Sequence, residues 1–421
     1  MLRVAMVVWN EFRNDARVLK EAETLVAVGH EVTVHALHTP GITQESERLP
    51  SGVMISRVAR SPLWKIRKRQ RTNKNIEKPI GNEQVSHKPT TIANPNRLQQ
   101  VLRIVARVWT HLGLLWRMVK LKPDVIHAHD VNTLPTAWLA AKLCGARIVY
   151  DAHEISTSRE GYSNFRALVA LIERTLMPRV AGTITTTDTR AKFFSRAYRI
   201  PRPLVLQNRP RLQQPTLSTR IRDELGLTEN WPIVIYQGGV QQGRGLERLA
   251  TIAADIPNAY FVFIGGGRLD QILRQIVTSL DIQDRVHFIP TVSLTELHSY
   301  TASADIGIQP IENTCFNHYT TDSNKLFEYV QAGLPIIASD LPEIRHLVNQ
   351  HDLGLLTPPG NSEALTKALR DLVDNPELRT HYASLTTQAA KTLNWEEQEH
   401  KLIDLYARIV GASAPYKFKV E

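Results

Sequence analysis

Buried strands that alternate with amphipathic helices constrain the fold of this chain more than any other feature. The pattern begins with a strand at residues 2–8, a helix at 16–28 and a second strand at 31–37. The same order of strand, helix and strand returns at residues 124–150. Elements of this length in alternation form parallel βαβ units with right-handed crossovers. We therefore predict an α/β fold with a doubly wound parallel sheet in the first half of the chain.

The second half repeats this organisation. Helical segments separate six short apolar runs, at residues 233–236, 260–264, 286–289, 306–309, 335–338 and 354–356. A chain of 421 residues is too long for one ordinary hydrophobic core. We predict two Rossmann-like domains, residues 1–207 and 208–394, that face each other across a cleft and bind ligands at the carboxyl ends of their strands.

The positive charge is concentrated in one segment. The whole chain carries a formal charge of +10, yet residues 57–122 alone hold sixteen basic and two acidic residues. We predict a polar, basic insertion at residues 66–96, followed by an amphipathic helix at 97–119. The apolar side chains at helical spacing in that helix are Leu98, Val101, Leu102, Val105, Val108, Trp109, Leu112, Leu115, Trp116 and Val119.

The sequence of this segment allows three interpretations. Binding to nucleic acid is not expected, because the segment has neither stacking aromatic residues nor a known module. The apolar face of the helix either packs on the core or, with its arginine-rich flank, lies on an anionic membrane surface. These last two interpretations are compatible with each other.

Composition also limits the compartment. The two cysteines, Cys144 and Cys315, cannot form a disulfide framework, and they suit a reducing environment. The N-terminal run is too short for an export signal, and no apolar stretch approaches the roughly 20 residues that span a bilayer. We expect a cytoplasmic protein, with peripheral attachment to the inner face of the plasma membrane as the alternative.

Residues 320–335 carry the most chemical information. Ser323 is placed to cap a helix that Gly333 can end. A helix N-terminus presents free N–H groups that suit a diphosphate, and Lys325 adds a full positive charge there. Glu328 lies on the same helix face, where its carboxylate could bind ribose hydroxyls. The alternative for Lys325 and Glu328 is a surface ion pair worth a few tenths of a kcal/mol.

This stretch resembles the donor-binding signature of family 4 glycosyltransferases, which are retaining enzymes of the GT-B fold. The matching residues are Ser323-Asn324-Lys325-Leu326-Phe327-Glu328-Tyr329 and Ala332-Gly333-Leu334-Pro335-Ile336-Ile337-Ala338-Ser339. Further blocks that resemble the family lie at residues 14–22, 29–34, 124–130, 149–154 and 236–245. The resemblance implies a final helix, within residues 395–421, that crosses back to the first domain.

The expected site residues fall into three groups. We predict that the donor site comprises Gly238, Gly239, Arg244, Gly265, Thr321, Ser323, Asn324, Lys325 and Glu328. The resemblance implies that Glu328 contacts the donor ribose, that Lys325 contacts the diphosphate and that His153 contacts the sugar. The predicted catalytic positions are His153 and Thr320, and the predicted acceptor-side residues are Asn14, Arg17, His129, Asp130 and Glu154.

The chain departs from the family pattern at two positions. Thr320 stands where many members have a glutamate separated by seven residues from Glu328. Gly239 stands where the phosphate loop often has a basic residue, although Arg244 occupies the position of the usual lysine. The missing glutamate at Thr320 leaves open a catalytically weak subunit that binds nucleotide sugar. A nucleotide-sugar epimerase of the same fold is the other alternative, and the block Asn324-Lys325-Leu326-Phe327-Glu328 argues against it.

No metal or cofactor is expected. His127, His129 and His153 lie at strand ends, but their spacing matches no known zinc or iron site, and the chain contains no Asp-x-Asp. The expected reaction moves a sugar with retention from a nucleotide-diphosphate donor to a glycan or lipid-linked acceptor. Arg244, Lys325 and the helix N-terminus would stabilise the charge that develops on the leaving diphosphate.

Overall fold

The computed structural model describes residues 1–60, 97–214 and 216–411. Contacts divide the chain into two compact units. The first comprises Met1–Arg13, Ala22–Asp151 and Thr175–Gly182, and the second comprises Asn14–Glu21, Ala152–Arg174 and Thr183–Glu421. The predicted insertion at residues 66–96 lies outside the described residues, as do residues 412–421 of the predicted C-terminal segment.

A mostly parallel sheet forms the centre of the first unit. Its strands are β1 (Arg3–Val7), β2 (Glu31–His38), β3 (Ser46–Arg48), β4 (Met54–Ala59), β5 (Val125–His129) and β6 (Arg147–Ala152). They lie in the order β3-β4-β2-β1-β5-β6, and only the short edge strand β3 runs antiparallel to its neighbour. From Val4 to Val7, β1 is fully buried, as expected for a central parallel strand that is covered on both faces.

Helices connect these strands as the sequence pattern predicts. They are α1 (Ala16–Ala27), α2 (Arg97–Leu121) and α3 (Leu134–Cys144). Helix α3 ends at Gly145, whose φ of 74° places it in the left-handed region where glycine is favoured. Within the described ranges, no helix is both long enough and apolar enough to cross a bilayer.

Helix α2 packs on the sheet with the face opposite to the expected one. Its buried side chains are Thr110, Leu114 and Met118, and Gly113 lies so close to β4 that a Cβ there would be 2.5 Å from Val58 Cγ1. The large apolar side chains are instead 48–63% exposed, at Val101, Leu102, Ile104, Val105, Val108, Trp109, Leu112 and Trp116. The interpretation that this face packs on the core is therefore wrong for the described residues. The helix contacts its sheet through a narrow stripe of smaller side chains.

The second unit contains a fully parallel sheet. Its strands are β9 (Ile233–Gln237), β10 (Tyr260–Ile264), β11 (Val286–Ile289), β12 (Ile306–Gln309), β13 (Ile336–Ser339) and β14 (Gly354–Thr357), in the order β11-β10-β9-β12-β13-β14. Val234 and Tyr236 enter one hydrophobic cluster, while Ile233 and Ile235 enter another on the opposite face. Two shorter parallel strands in this part of the chain are β7 (Gly182–Thr185) and β8 (Leu204–Val205).

Helices cover both faces of the second sheet and make up most of the remaining chain. In order they are α4 (Arg166–Leu176), α5 (Asp188–Tyr198), α6 (Arg220–Leu225), α7 (Leu246–Ile252), α8 (Asp270–Ser279), α9 (Leu294–Thr301), α10 (Phe316–Tyr319), α11 (Asn324–Gln331), α12 (Pro342–His351), α13 (Ser362–Val373), α14 (Pro376–Ala390) and α15 (Glu396–Val410). The prediction of two parallel-sheet α/β domains is confirmed.

Candidate active site

Two glycine turns form the floor of the predicted donor site. Gly238 follows β9 with a φ of 114°, and Gly265 follows β10 with a φ of 137°. A Cβ at Gly265 would lie 2.1 Å from the Gly238 carbonyl oxygen, a distance that no side chain tolerates. Gly239 differs, because a Cβ there would meet only Gln241, at ordinary contact distance. Backbone therefore approaches backbone at the carboxyl ends of β9 and β10, and an open surface is left beside it.

Lys325 extends over this floor from the first turn of α11. A Cβ at Gly238 would lie 3.1 Å from the lysine Nζ, and that Nζ is 5.2 Å from the centre of the Tyr236 ring. Burial of the ammonium lowers the pKa of Lys325 to about 8, and nearby Arg244 lowers it further. Among the described residues, neither Lys325 nor Arg244 forms a hydrogen bond or an ion pair. The carboxylate of Glu328 acts on Lys325 from a distance and opposes this lowering of the pKa, but two neighbouring cations that form no ion pair still make a site that suits an anion.

The N-terminus of α11 is strained and lacks a side-chain cap. Ser323 occupies the N-cap position with a φ of 49°, but its side chain makes no capping hydrogen bond, so the predicted capping role is wrong. Its backbone N–H instead donates to the Thr321 hydroxyl at 3.2 Å. Such a backbone conformation costs about 1–3 kcal/mol in a residue other than glycine. The first-turn amides of Asn324 and Lys325 therefore remain available to a ligand.

Glu328 is oriented by a residue that the sequence did not reveal. Gln237 Nε2 donates to Glu328 Oε2 at 2.5 Å, and Gln237 Oε1 accepts from the Thr301 hydroxyl at 2.8 Å. Gln237 is buried as the last residue of β9, directly before Gly238. Its place before the glycine turn is the one sequence signal that could have pointed to it. Gln237 thus holds one carboxylate oxygen of Glu328 in place, and the charge of this carboxylate acts on Lys325.

The two predicted catalytic residues differ in exposure. His153 is half-buried just after β6, and its carbonyl oxygen accepts a hydrogen bond from Arg190 Nη1 at 2.6 Å. Thr320 is fully buried. Its hydroxyl donates to the Phe316 carbonyl at 2.8 Å and accepts from Arg190 Nε at 3.1 Å. The structure thus joins both positions through Arg190, another residue that sequence reasoning missed.

The predicted acceptor-side residues of the second unit are Asn14, Arg17 and Glu154. Asn14 is exposed. Arg17 is buried, donates to the Leu206 carbonyl at 2.6 Å and lies 3.2 Å from a Glu21 carboxylate oxygen. Glu154 lies 3.6 Å from Arg159 on the surface. These contacts leave Asn14 and Glu154 as the more accessible members of the group.

In the first unit, His129 and Asp130 lie at the end of β5. The His129 ring stacks on His127 with a centroid distance of 4.3 Å, and its Nδ1 is 3.4 Å from Asp151 Oδ2. Asp130 adopts a φ of 61°. The ligand atoms of His127, His129 and Asp151 lie within 4.8 Å of one another, so these residues could hold a metal ion. The absence of a metal requirement remains a prediction.

Two family models match the chain and together cover most of it. The model described as "Glycosyl transferase 4-like domain" matches residues 15–210, and the model described as "Glycosyl transferases group 1" matches residues 218–389. Phosphatidyl-myo-inositol mannosyltransferase of Mycolicibacterium smegmatis is 22% identical over 301 residues, which are 69% of this chain and 72% of that protein.

Solved structures show the same fold. Sucrose-phosphate synthase from Thermosynechococcus elongatus matches 98% of this chain and 100% of its own with a TM-score of 0.77 and 17% identity. Anabaena HepE in complex with UDP-glucose matches 97% of this chain and 100% of its own with a TM-score of 0.70 and 15% identity. The comparisons give no support to the epimerase alternative. The chain belongs to the family 4-like glycosyltransferases of the GT-B fold.

Proposed function

We propose that this glycosyltransferase takes its sugar from a nucleotide-diphosphate donor bound at the N-terminus of α11. The observation that carries the proposal is the pair of neighbouring cations beside the glycine floor, Lys325 and Arg244, neither of which forms an ion pair among the described residues. A diphosphate supplies the missing negative charge and accepts from the amides of the first turn of α11. Glu328, fixed by Gln237, binds the ribose hydroxyls.

Transfer proceeds with retention of the anomeric configuration and requires no metal. As the bond between sugar and diphosphate breaks, negative charge grows on the leaving group, and Lys325, Arg244 and the helix N-terminus stabilise it there. His153 contacts the donor sugar. Because both hydrogen-bonding functions of the Thr320 hydroxyl are occupied, Thr320 shapes the sugar-binding loop and transfers no proton.

The acceptor is a glycan or a lipid-linked molecule. The name of the M. smegmatis relative, a phosphatidyl-myo-inositol mannosyltransferase, supports an acceptor in the membrane. Asn14 and Glu154 are accessible polar groups that could contact acceptor hydroxyls, and Arg17, His129 and Asp130 complete the predicted acceptor-side set.

Helix α2 binds an anionic membrane surface in this proposal. Its exposed apolar side chains include Trp109, Leu112 and Trp116, and residues 97–121 contain no acidic residue. Arg103 and Lys120 add positive charge to the exposed surface of the helix. An apolar face with basic flanks is typical of helices that lie in the headgroup region of anionic bilayers. The enzyme would then act on the inner face of the plasma membrane, from the cytoplasm.

Donor turnover tests the central proposal. The purified chain is incubated with UDP-, GDP- and ADP-linked sugars, and donor hydrolysis and transfer are measured, with the product anomer assigned by NMR. Glu328→Ala should abolish donor binding, whereas Glu296→Ala, which removes an exposed carboxylate in α9 paired with Arg220, should not. Absence of both binding and turnover in the wild type would favour the catalytically weak subunit instead.

Vesicle flotation tests the membrane proposal. The wild type should float with vesicles that contain anionic lipid and not with zwitterionic vesicles. Replacing Leu112 and Trp116 by glutamate should prevent flotation, while Ile272→Glu, at a half-exposed apolar position of α8, should leave it unchanged. Binding that does not depend on lipid charge would contradict the proposal.

A further inference from the structure

A buried arginine joins two segments of the proposed catalytic site. Arg190 lies in the first turn of α5, is 5% exposed, and makes all its side-chain hydrogen bonds to uncharged groups. Nη1 donates to the His153 carbonyl and to the Thr186 hydroxyl, both at 2.6 Å. Nη2 donates to the Asn317 carbonyl and Nε to the Thr320 hydroxyl, both at 3.1 Å. One planar guanidinium therefore connects the segment after β6 to the segment around α10.

Two more side chains form hydrogen bonds with the segment after β6 and the segment around α10. The Asn317 amide accepts from the Ile155 N–H at 2.8 Å and donates to the Ile155 carbonyl at 3.0 Å. The Thr187 hydroxyl donates to the Thr320 carbonyl at 3.1 Å. Residues 153–155 are thus held through backbone atoms, and residues 317–320 through backbone atoms and the side chains of Asn317 and Thr320.

The charge of Arg190 has no direct ion-pair partner among the described residues. Burial lowers its pKa, and the carboxylates of Asp322, Glu154 and Glu343 act against that shift from a distance. Retaining a buried cation for hydrogen bonds to carbonyl and hydroxyl groups is costly, because no ion pair offsets its desolvation. The particular feature of arginine is its rigid fork of five donors, which lysine cannot reproduce.

We propose that Arg190 is a positioning residue that fixes His153 relative to the Asn317–Thr320 segment, and that it governs the chemical step without contacting the nucleotide. The inference rests on the proposed role of His153 at the donor sugar. None of the hydrogen bonds of Arg190 goes to Lys325, Arg244 or Glu328, so its effect should be separable from donor affinity. A displacement of about 1 Å in a reacting group can slow a reaction by about 100-fold.

The test compares three variants with the wild type. Arg190→Gln should lower kcat by about 10- to 100-fold and Arg190→Lys by about 10-fold or more, since the lysine keeps the charge but loses the fork. Thr320→Val keeps the side-chain shape but removes the hydroxyl that accepts from Arg190 and donates to the Phe316 carbonyl, and it should lower kcat by a few-fold. The Kd for the nucleoside diphosphate should stay within about two-fold in all three variants. kcat is calculated per nucleotide-binding site, as measured by calorimetry, so that misfolded protein in a sample does not lower the value obtained.

Arg57→Gln is the matched control. Arg57 is equally buried, lies in the first unit, and donates to the carbonyls of Glu11 and Gln44 at 2.9 and 3.0 Å. Its loss should lower the thermal stability but not kcat per binding site. Hydrogen exchange should show faster exchange at residues 153–156 in Arg190→Gln and unchanged exchange there in Arg57→Gln.

The outcomes separate this inference from the proposed function. Unchanged kcat in Arg190→Gln, or a parallel loss of kcat and nucleotide affinity, would overturn the positioning role. If His153→Ala is inactive while Arg190→Gln is fully active, the inference fails and the proposed function stands. A wild type that neither binds a nucleoside diphosphate nor turns over any donor would contradict both the proposed function and this inference.

Discussion

Lys325 makes donor binding sensitive to pH in a predictable direction. Its pKa is lowered to about 8, chiefly by burial and then by Arg244. A free lysine titrates near pH 10.4, so in most proteins a lysine that binds phosphate stays charged up to pH 9. Here the ammonium is lost from the unliganded enzyme as the pH rises through 8, and the attraction for a diphosphate is lost with it.

The size of the effect follows from the titration. With a pKa of about 8, about three quarters of Lys325 is charged at pH 7.5 and about one tenth at pH 9. The bound diphosphate keeps Lys325 protonated. At high pH, where Lys325 of the free enzyme is mostly neutral, binding therefore requires the uptake of a proton, and this weakens the affinity. The Kd should therefore be about eight-fold higher at pH 9 than at pH 7.5, which corresponds to about 1.3 kcal/mol.

Calorimetric titration with a nucleoside diphosphate at the two pH values measures this directly. Lys325→Arg keeps its charge throughout and should show a Kd that changes by less than about two-fold. Lys325→Gln should bind at least about ten-fold more weakly at pH 7.5 and should lose the pH dependence. A flat wild-type profile, or the same slope in Lys325→Arg, would refute the assignment of this lysine to the diphosphate.

Three further predictions concern the glycine floor and helix α2. Gly239→Arg should strengthen diphosphate binding by about ten-fold in a titration, because a Cβ fits there and the added cation faces the site. Gly265→Ala should abolish donor binding and lower the melting temperature, because its Cβ would overlap the Gly238 carbonyl oxygen. Leu114→Ala should destabilise the protein by about 2–5 kcal/mol in denaturant unfolding, whereas Leu112→Ala should change stability by less than about 0.5 kcal/mol. Equal effects of the last two changes would contradict the orientation of α2.

The fold was predictable because its signals are local and repeated. Each strand of the second sheet is a short apolar run, and the observed bounds differ from the predicted ones by about a residue, as for the strand predicted from Pro335 that begins at Ile336. The face of α2 that packs on the sheet could not be predicted from such local signals. Periodicity shows that a helix has an apolar side, but it does not show which side a neighbouring sheet accepts. The close approach at Gly113, which lets the narrow Thr110–Leu114 stripe pack, depends on tertiary structure.

The donor site shows the same division. Lys325 and Glu328 stand in a recognisable order along one helix, so the sequence indicated both. Gln237 and Arg190 act through contacts between residues distant in sequence, from Gln237 to Glu328 and from Arg190 to His153. No local pattern marks Arg190, and the only local signal for Gln237 is its place directly before the glycine turn. The capping role predicted for Ser323 was wrong. Serine is a preferred residue type at the N-cap position, but residue type does not reveal the positive φ that Ser323 adopts here.

A crystal structure of the enzyme with a bound nucleoside diphosphate tests the central claim most directly. The account predicts phosphate oxygens within about 3 Å of Lys325 Nζ and of the first-turn amides of α11, with Arg244 on the same group. It also predicts that the ribose hydroxyls bond to Glu328. Phosphates bound away from both cations, or a ribose that Glu328 does not touch, would contradict it.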